Sequence, residues 1–134
     1  MIAYRRGGHL DVDEVVELYR ASTLGQRRPV DDRERMQQML ERANLVITAW
    51  DAARIVGIAR SLSDFAFCTY LSDLAVHSDY QRSGIGKELV RRTQLEGGQA
   101  TVFLFAAPAS VDYYPRIGLT QGSGWMLRPG ETLR

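Results

Sequence analysis

Residues suited to binding anions cluster between positions 82 and 87. Gly84 and Gly86 lie one residue apart, and Arg82 and Lys87 flank them with positive charge. Glycine has no Cβ, so a ligand can approach the backbone closely at these positions. If the run opens a helix, unpaired N–H groups and the positive end of the helix dipole add to the attraction. The sequence therefore predicts an anion of pyrophosphate size on residues 82–87.

The neighbouring residues supply the elements that would hold such a loop. Residues 70–76 are mostly apolar, which predicts a strand covered on both faces. Residues 77–80 interrupt this run. Apolar residues then recur at helical spacing through Thr93, until Gly97 and Gly98 stop the helix. A strand, a glycine loop and an amphipathic helix thus follow one another along the chain.

The motif also narrows the choice of ligand. It lacks the Gly-x-x-x-x-Gly-Lys-Ser/Thr of P-loops and the three glycines of a dinucleotide fingerprint. The motif that the sequence does contain is Gln81-x-x-Gly84-x-Gly86, which has three fixed positions. A strand–helix turn that merely tolerates glycine would show the same pattern. The rest of the chain must therefore decide between the two interpretations.

Length and composition limit the classes of protein to which this chain can belong. The chain has 134 residues, 45% apolar and 25% charged, which predicts a single globular domain over residues 1–134. A net charge of +1 argues against a nucleic-acid partner, which would need a strong basic field. We see neither a leader nor an apolar run of membrane-spanning length, so no membrane partner is expected. The lone cysteine, Cys68, points to a reducing compartment, and we expect the cytoplasm.

Periodicity predicts the order of the elements. We expect a strand at 2–6, a helix capped by Asp11 and ending near Ser22, a polar loop at 23–29, a helix from about Asp31, and paired strands at 45–50 and 54–62. After the strand and helix already described come a buried strand at 101–106 in the middle of the sheet, a short helix within 109–119 and a last strand at 122–128. The fold class is α/β (α+β), a mixed, mostly antiparallel sheet flanked by helices in the order β-α-α-β-β-β-α-β-α-β(-β).

This order, together with two motifs, resembles the GNAT superfamily of acyl-CoA N-acyltransferases over nearly the whole chain. Gln81-x-x-Gly84-x-Gly86 is similar to the family's Gln/Arg-x-x-Gly-x-Gly/Ala motif. Residues 113–119, YYPRIGL, are similar to its aromatic-Tyr-x-Lys/Arg-x-Gly-Phe signature. Leu119 replaces the usual aromatic residue, and Pro115 stands where the family has a polar helix former.

The resemblance implies an N-acetyltransferase that moves an acetyl group from acetyl-CoA to a primary amine by direct attack in a ternary complex. The strand at 74–76 would separate from 102–106 and pair with the pantetheine arm, and an N–H near Val76 would polarise the thioester carbonyl. The implied cofactor-binding residues are Leu74, Ala75, Val76, Gln81, Arg82, Ser83, Gly84, Ile85, Gly86 and Lys87.

Tyr114 matches the family tyrosine that protonates the departing thiolate, and a phenol suits this role because it is neutral near pH 7. Tyr113 is the alternative donor if Pro115 shifts the helix. A core tyrosine with a structural hydroxyl is the other interpretation of Tyr114.

The general base is left open. Asp73, which we name as the catalytic candidate, and Asp64 are each as consistent with a solvated or salt-bridged role. His77 fits a polar loop histidine better than a base, and His9 is expected to be exposed. Cys68 is expected to be a buried small residue. Residue spacing indicates no metal site.

The acceptor pocket is predicted from residues 23–28, residues 65–67 and Trp125. Arg27 and Arg28 are candidates for binding an acidic substrate group, although solvated surface arginines fit the pattern at least as well. Fold alone does not select the acceptor, so a small-molecule amine and a protein amine both remain open. The oligomeric state is also open, a homodimer included. The alternative function is a non-catalytic acyl-CoA-binding or interaction module with the same fold.

Overall fold

The computed structural model describes all 134 residues, which form two compact units, Met1–Leu104 and Phe105–Arg134. The first unit contains five strands and three α-helices in the order β1 (Ile2–Arg6), α1 (Val12–Arg20), α2 (Arg33–Arg42), β2 (Leu45–Asp51), β3 (Arg54–Ser63), β4 (Cys68–Val76), α3 (Ile85–Glu96) and β5 (Thr101–Phe103). Short 3-10 helices at Thr23–Arg27 and Ser78–Tyr80 connect them. The second unit contains a 3-10 helix, Pro108–Ser110, and one helical turn, α4 (Tyr113–Arg116).

The five strands form one sheet in sequence order, β1-β2-β3-β4-β5. The first three pairings are antiparallel and the β4–β5 pairing is parallel. The α/β class and the mixed, mostly antiparallel sheet are therefore confirmed. The prediction of one domain over residues 1–134 stays a prediction. None of the helices is both long and apolar enough to cross a bilayer.

Helix α1 packs its apolar stripe into the core, with Val15 and Tyr19 fully buried. The predicted cap is present, because the Asp11 carboxylate accepts hydrogen bonds from the N–H groups of Asp13 and Glu14. The helix ends at Arg20, earlier than the predicted Ser22. Ser22 instead caps the next segment by accepting the Leu24 N–H, so the predicted polar loop is a 3-10 helix.

Strand β4 differs from its prediction. Its burial alternates, with Thr69, Leu71, Asp73 and Ala75 buried and the residues between them only half-buried. The predicted cover on both faces is thus complete on one face and partial on the other. One face of β4 belongs to the core formed with α1 and α2, which includes Ala75.

The C-terminal strand predictions were wrong. β5 covers three residues and lies at the edge of the sheet, not in its middle, and Phe103 on it is 42% exposed. Residues 122–128 form no strand, and Trp125 is 92% exposed. Glycines at 122 and 124 favour turns over a ladder, and the second unit contains no strand with which this segment pairs.

Candidate functional site

The loop of residues 81–87, here called the glycine loop, presents free N–H groups at the start of α3. Gly84 is the N-cap residue and has a left-handed φ of 84°, which disfavours every other residue type. It offers no side chain to cap the helix. The first helical bond runs from Glu88 N–H to the Gly84 carbonyl at 3.0 Å. The N–H groups of Ile85, Gly86 and Lys87 therefore lack helical partners and face the loop.

Side chains that precede Gly84 brace this loop. Gln81 donates from Nε2 to the Val76 carbonyl at 3.1 Å, so it ties the loop to the end of β4. The Ser83 hydroxyl donates to the Tyr80 carbonyl. Arg82 also has a positive φ, 63°, which costs a non-glycine residue backbone strain. The loop conformation is thus unfavourable at Arg82 and well suited to glycine at Gly84.

Positive charge is available beside the loop. Arg82 and Lys87 are exposed and form no ion pair. Glu88, the acidic residue of the first turn, forms ion pairs with Arg91 and Arg92, which balance its negative charge. Their hydrogen bonds lower its pKa to about 2. The local field therefore favours an anion, in agreement with the helix dipole.

Strand β4 has a free edge next to the glycine loop. The β4–β5 ladder contains only three residue pairs and ends at Tyr70–Phe103. Beyond it, His77 N–H donates to the Val56 carbonyl on β3 at 2.9 Å. Because alternate residues of an antiparallel strand point to opposite edges, the N–H groups of Leu74 and Val76 face the free edge. Ala75 faces its partner Ile58 on β3 instead.

Asp73 is the centre of a buried ionic cluster. Its side chain is fully buried and accepts four hydrogen bonds, at 2.5 to 3.1 Å, from Tyr19 Oη, Arg28 Nε, Arg60 Nε and Ser72 Oγ. Arg60 also donates to the Met39 carbonyl and to the Ser72 hydroxyl. The cluster joins the helical layer to β3 and β4.

These contacts determine the protonation of Asp73. Burial alone would raise its pKa, but the hydrogen bond and charge of Arg60, with Arg28 and Tyr19, outweigh burial and hold the pKa below its usual value. Burial and Asp73 raise the pKa of Tyr19 well above its usual value, so the phenol stays a donor. A carboxylate with a low pKa and occupied oxygens is a weak base. The geometry supports the salt-bridged interpretation of Asp73.

The other candidate bases also have structural partners. Asp64 accepts the N–H groups of Ala66, Phe67 and Cys68, and these bonds lower its pKa to about 2. His77 caps the Ser78–Tyr80 turn by accepting the Asp79 N–H on Nδ1, and its Nε2 lies 2.8 Å from an Arg54 nitrogen. The loop interpretation of His77 agrees with this position.

Three smaller expectations have mixed outcomes. His9 is exposed, as predicted. Cys68 is exposed, not buried, because it lies at the start of β4 beside the edge of the sheet. Arg28 is neither a solvated arginine nor free for an acidic substrate group, since Asp73 and the Ser72 carbonyl occupy its guanidinium. Arg27 is exposed.

Tyr114 lies in the second unit, within the turn α4. It is half-buried, and its ring meets that of Tyr113 edge to face, with centroids 5.2 Å apart. Burial raises the pKa of Tyr113. Pro115 does not abolish the helix, because it occupies the third residue of this single turn. The role of Tyr114 stays a prediction.

A separate cavity of about 360 Å³ lies between the end of β1 and α2. Gly8, His9, Gln37 and Asn44 are among its lining residues, and none of the predicted site residues lines it. No group of three or more His, Cys, Asp or Glu side chains is arranged to hold a metal ion. The glycine loop and the free edge of β4 therefore remain the candidate site.

The sequence reasoning missed Tyr19, Arg60 and Ser72 as members of the Asp73 cluster. Arg60 interrupts the otherwise small and apolar run of β3, and Ser72 with Asp73 interrupts that of β4. A charged residue of each sign inside two adjacent strands is a signal for a buried ion pair. Tyr19 gave no such signal, because its ring fits the apolar stripe of α1.

A glycine N-cap with free N–H groups lies beside a strand with an open edge, an arrangement suited to a phosphate group and an extended chain. A model of the acetyltransferase (GNAT) domain family matches residues 18–123. The chain therefore belongs to the GNAT acetyltransferase family, and the resemblance stated from its two motifs is confirmed.

Individual relatives agree with this assignment. An uncharacterized N-acetyltransferase, ycf52-like, of Prochlorococcus marinus is 32% identical over 127 residues, covering 90% of this chain and 65% of the relative. The chain thus spans under two thirds of that relative's length. A GNAT-family acetyltransferase from Streptococcus pneumoniae superposes with a TM-score of 0.71 at 24% identity, covering 96% of this chain and 99% of that one. The aminoglycoside N-acetyltransferase AAC(6')-Iy, in complex with CoA, gives 0.74 at 12% identity, with 98% and 96% covered. These structural likenesses show the fold alone.

Proposed function

We propose that this protein transfers an acetyl group from acetyl-CoA to a primary amine, by direct attack within a ternary complex. The observation that carries the proposal is the free edge of β4 at Leu74 and Val76, directly beside the uncapped start of α3. A pyrophosphate on residues 82–87 and a pantetheine arm along Leu74–Val76 would use these two features together. Gln81 fixes their relative position through its bond to the Val76 carbonyl.

In the proposed reaction, a backbone N–H of β4 near Val76 donates to the thioester carbonyl oxygen as negative charge develops there. The amine nitrogen attacks the carbonyl carbon, a C–N bond forms and the C–S bond breaks. The thiolate takes a proton from the Tyr114 phenol, the amine loses one to water, and the Tyr114 phenolate regains a proton from water. A water route is proposed because both oxygens of Asp73 accept from donors, and because three backbone N–H groups hold the pKa of Asp64 at about 2.

The acceptor is proposed only as a class, a small-molecule or protein amine, and the reaction is placed in the cytoplasm. AAC(6')-Iy is an aminoglycoside N-acetyltransferase, which supports keeping small-molecule amines among the candidates. The homodimer stays a prediction. The alternative function, a non-catalytic acyl-CoA-binding module, would use the same loop and strand edge but would not need Tyr114.

Two measurements test the proposal. Calorimetry should show acetyl-CoA binding, and a panel of amines with acetyl-CoA should release free thiol faster than the no-amine control. Absence of binding at millimolar acetyl-CoA would exclude both functions. Binding without release for any small amine or lysine-containing peptide would favour the module over the enzyme.

A further inference from the structure

We propose that Arg28 is a positioning residue for the amine acceptor. Its guanidinium clamps the 3-10 helix Thr23–Arg27 onto β4, so that this segment forms a fixed side of the acceptor site. This role rests on the proposed acetyl transfer, for which Arg28 would help to position the acceptor.

The clamp consists of three hydrogen bonds from one side chain. Arg28 Nε donates to Asp73 Oδ1 at 2.6 Å, and Nη2 donates to the Ser72 carbonyl at 2.7 Å. The third, from Nη1, goes to the Arg27 carbonyl at 2.8 Å, within the same segment. The planar guanidinium thus bridges the end of the 3-10 helix and two consecutive residues of β4. Lysine cannot reproduce this geometry.

An irregularity in β4 provides the anchor. The register pairs Arg60 with Asp73 and Ser61 with Leu71, so Ser72 has no partner on β3. Such a bulge releases a residue from regular pairing and often lies near a functional site. Here the Ser72 carbonyl accepts from Arg28, and its hydroxyl accepts from Arg60.

The clamp lies close to the stretch of β4, Leu74–Val76, proposed for the pantetheine arm. Ser72 is two residues from Leu74, which corresponds to about 7 Å along a strand. The Arg28 side chain is still 21% exposed, whereas Asp73 is fully buried. Its exposed part can therefore border a ligand that lies against the free edge of β4.

Removing Arg28 is expected to free the segment without unfolding the protein. Asp73 keeps its hydrogen bonds from Arg60, Tyr19 and Ser72, so its buried charge stays compensated. Replacing Asp73 or Arg60 would instead leave a buried charge without its main partner, at a large cost in stability. Replacing Arg28 therefore tests the position of the Thr23–Arg27 segment without a large loss of stability.

The test compares Arg28→Gln with Arg28→Lys and with Arg42→Gln as the matched control. Arg42 is an exposed arginine at the end of α2, outside the residues placed in the site, and its side chain makes no ion pair. Two readouts are measured: amide hydrogen exchange over residues 22–28, and steady-state kinetics with the best amine from the panel. Acetyl-CoA affinity by calorimetry and the melting temperature serve as checks on the site and the fold.

In Arg28→Gln we expect exchange over residues 22–28 to rise about 10- to 100-fold, the range for losing a hydrogen bond between charged groups. The amine KM should rise by a similar factor, with kcat and acetyl-CoA affinity nearly unchanged. Arg28→Lys should lie between Arg28→Gln and the wild type, and Arg42→Gln should match the wild type.

Unchanged exchange in Arg28→Gln would overturn the clamp, whatever the activity. Faster exchange with an unchanged amine KM would overturn the link to the acceptor. Failure of the proposed function is distinguishable, because then the wild-type protein itself would transfer acetyl to no amine, and the acceptor role of Arg28 would fall with it.

Discussion

The proposed role of the Tyr114 phenol can be tested by removing its hydroxyl group alone. Tyr114→Phe removes the hydroxyl and keeps the ring, so its edge-to-face contact with Tyr113 should persist. If the hydroxyl protonates the departing thiolate, kcat and kcat/KM should fall together by about 10²- to 10⁴-fold. Acetyl-CoA affinity should hardly change. Thiol-release kinetics and calorimetry on the one variant measure both quantities.

Tyr113→Phe is the matched control, because it makes the same change on the adjacent residue of the same turn. A structural hydroxyl on Tyr114 would instead lower stability by about 1 kcal/mol and leave turnover nearly intact. If Tyr114→Phe keeps a normal kcat and Tyr113→Phe loses it, the acid is Tyr113.

Residue-level prediction from sequence succeeded where the signal is local. Gly84 was identified because a glycine before a helix lets a ligand approach the backbone, and the structure places it as the N-cap of α3 with a φ of 84°. Asp73 was placed on the right strand, but its environment was not predictable. Its partners Tyr19, Arg28 and Arg60 lie 54, 45 and 13 residues away in sequence. Only the fold brings four such side chains together, and they change Asp73 from a candidate base into an ionic anchor.

At the scale of elements, the glycine loop and α3 act as one unit, which a matched pair of glycine substitutions can test. Gly84→Val should abolish acetyl-CoA binding, because a branched side chain would occupy the open space above the loop and resist a φ of +84°. Gly8→Val is the control, since Gly8 has a φ of +81° and equally open surroundings at the end of β1. The backbone strain is then nearly the same in both variants.

Calorimetry and melting curves on both variants separate strain from binding. We expect similar losses of melting temperature in the two proteins, with acetyl-CoA binding retained only in Gly8→Val. Equal affinity in Gly84→Val and the wild type would place the anion site elsewhere. Loss of binding in both variants would attribute the effect to general destabilisation.

Elements with a strong local pattern were predictable to within a residue or two, and elements that depend on a partner were not. The cap of Asp11 and the glycines after Glu96 fixed the bounds of α1 and α3 closely. The length of strand β5 was overestimated. An apolar run shows which residues can be buried, but not how many of them pair with the neighbouring strand. Its ladder with β4 ends at Phe103. The same early ending produces the free edge that carries the proposed function, so the missed boundary and the site have one cause.

At the scale of the whole molecule, the ionic contacts predict how stability depends on pH. Asp13, Asp64, Asp73 and Glu88 all have a lowered pKa in the folded protein, with Asp64 and Glu88 at about 2. A carboxyl group with a lowered folded pKa binds protons more readily when unfolded. Its contribution is therefore complete above the unfolded pKa and is lost as pH falls through the folded pKa.

The melting temperature should accordingly be nearly constant from pH 7 to about 5 and should fall steeply between about pH 4.5 and 2, because unfolded carboxyl groups titrate near 4. Asp64→Asn should lower the melting temperature at pH 7 and make the acid decline shallower, since it removes a carboxylate that holds three backbone N–H groups. Asp112→Asn is the control, because the Asp112 carboxylate makes no hydrogen bond and its loss should leave the slope unchanged. Thermal melts followed by circular dichroism at half-unit pH intervals measure all three curves. A melting temperature that stays constant down to pH 3 would show that these carboxylates keep little of their contact energy in solution, and that apolar burial alone sets the stability of the fold.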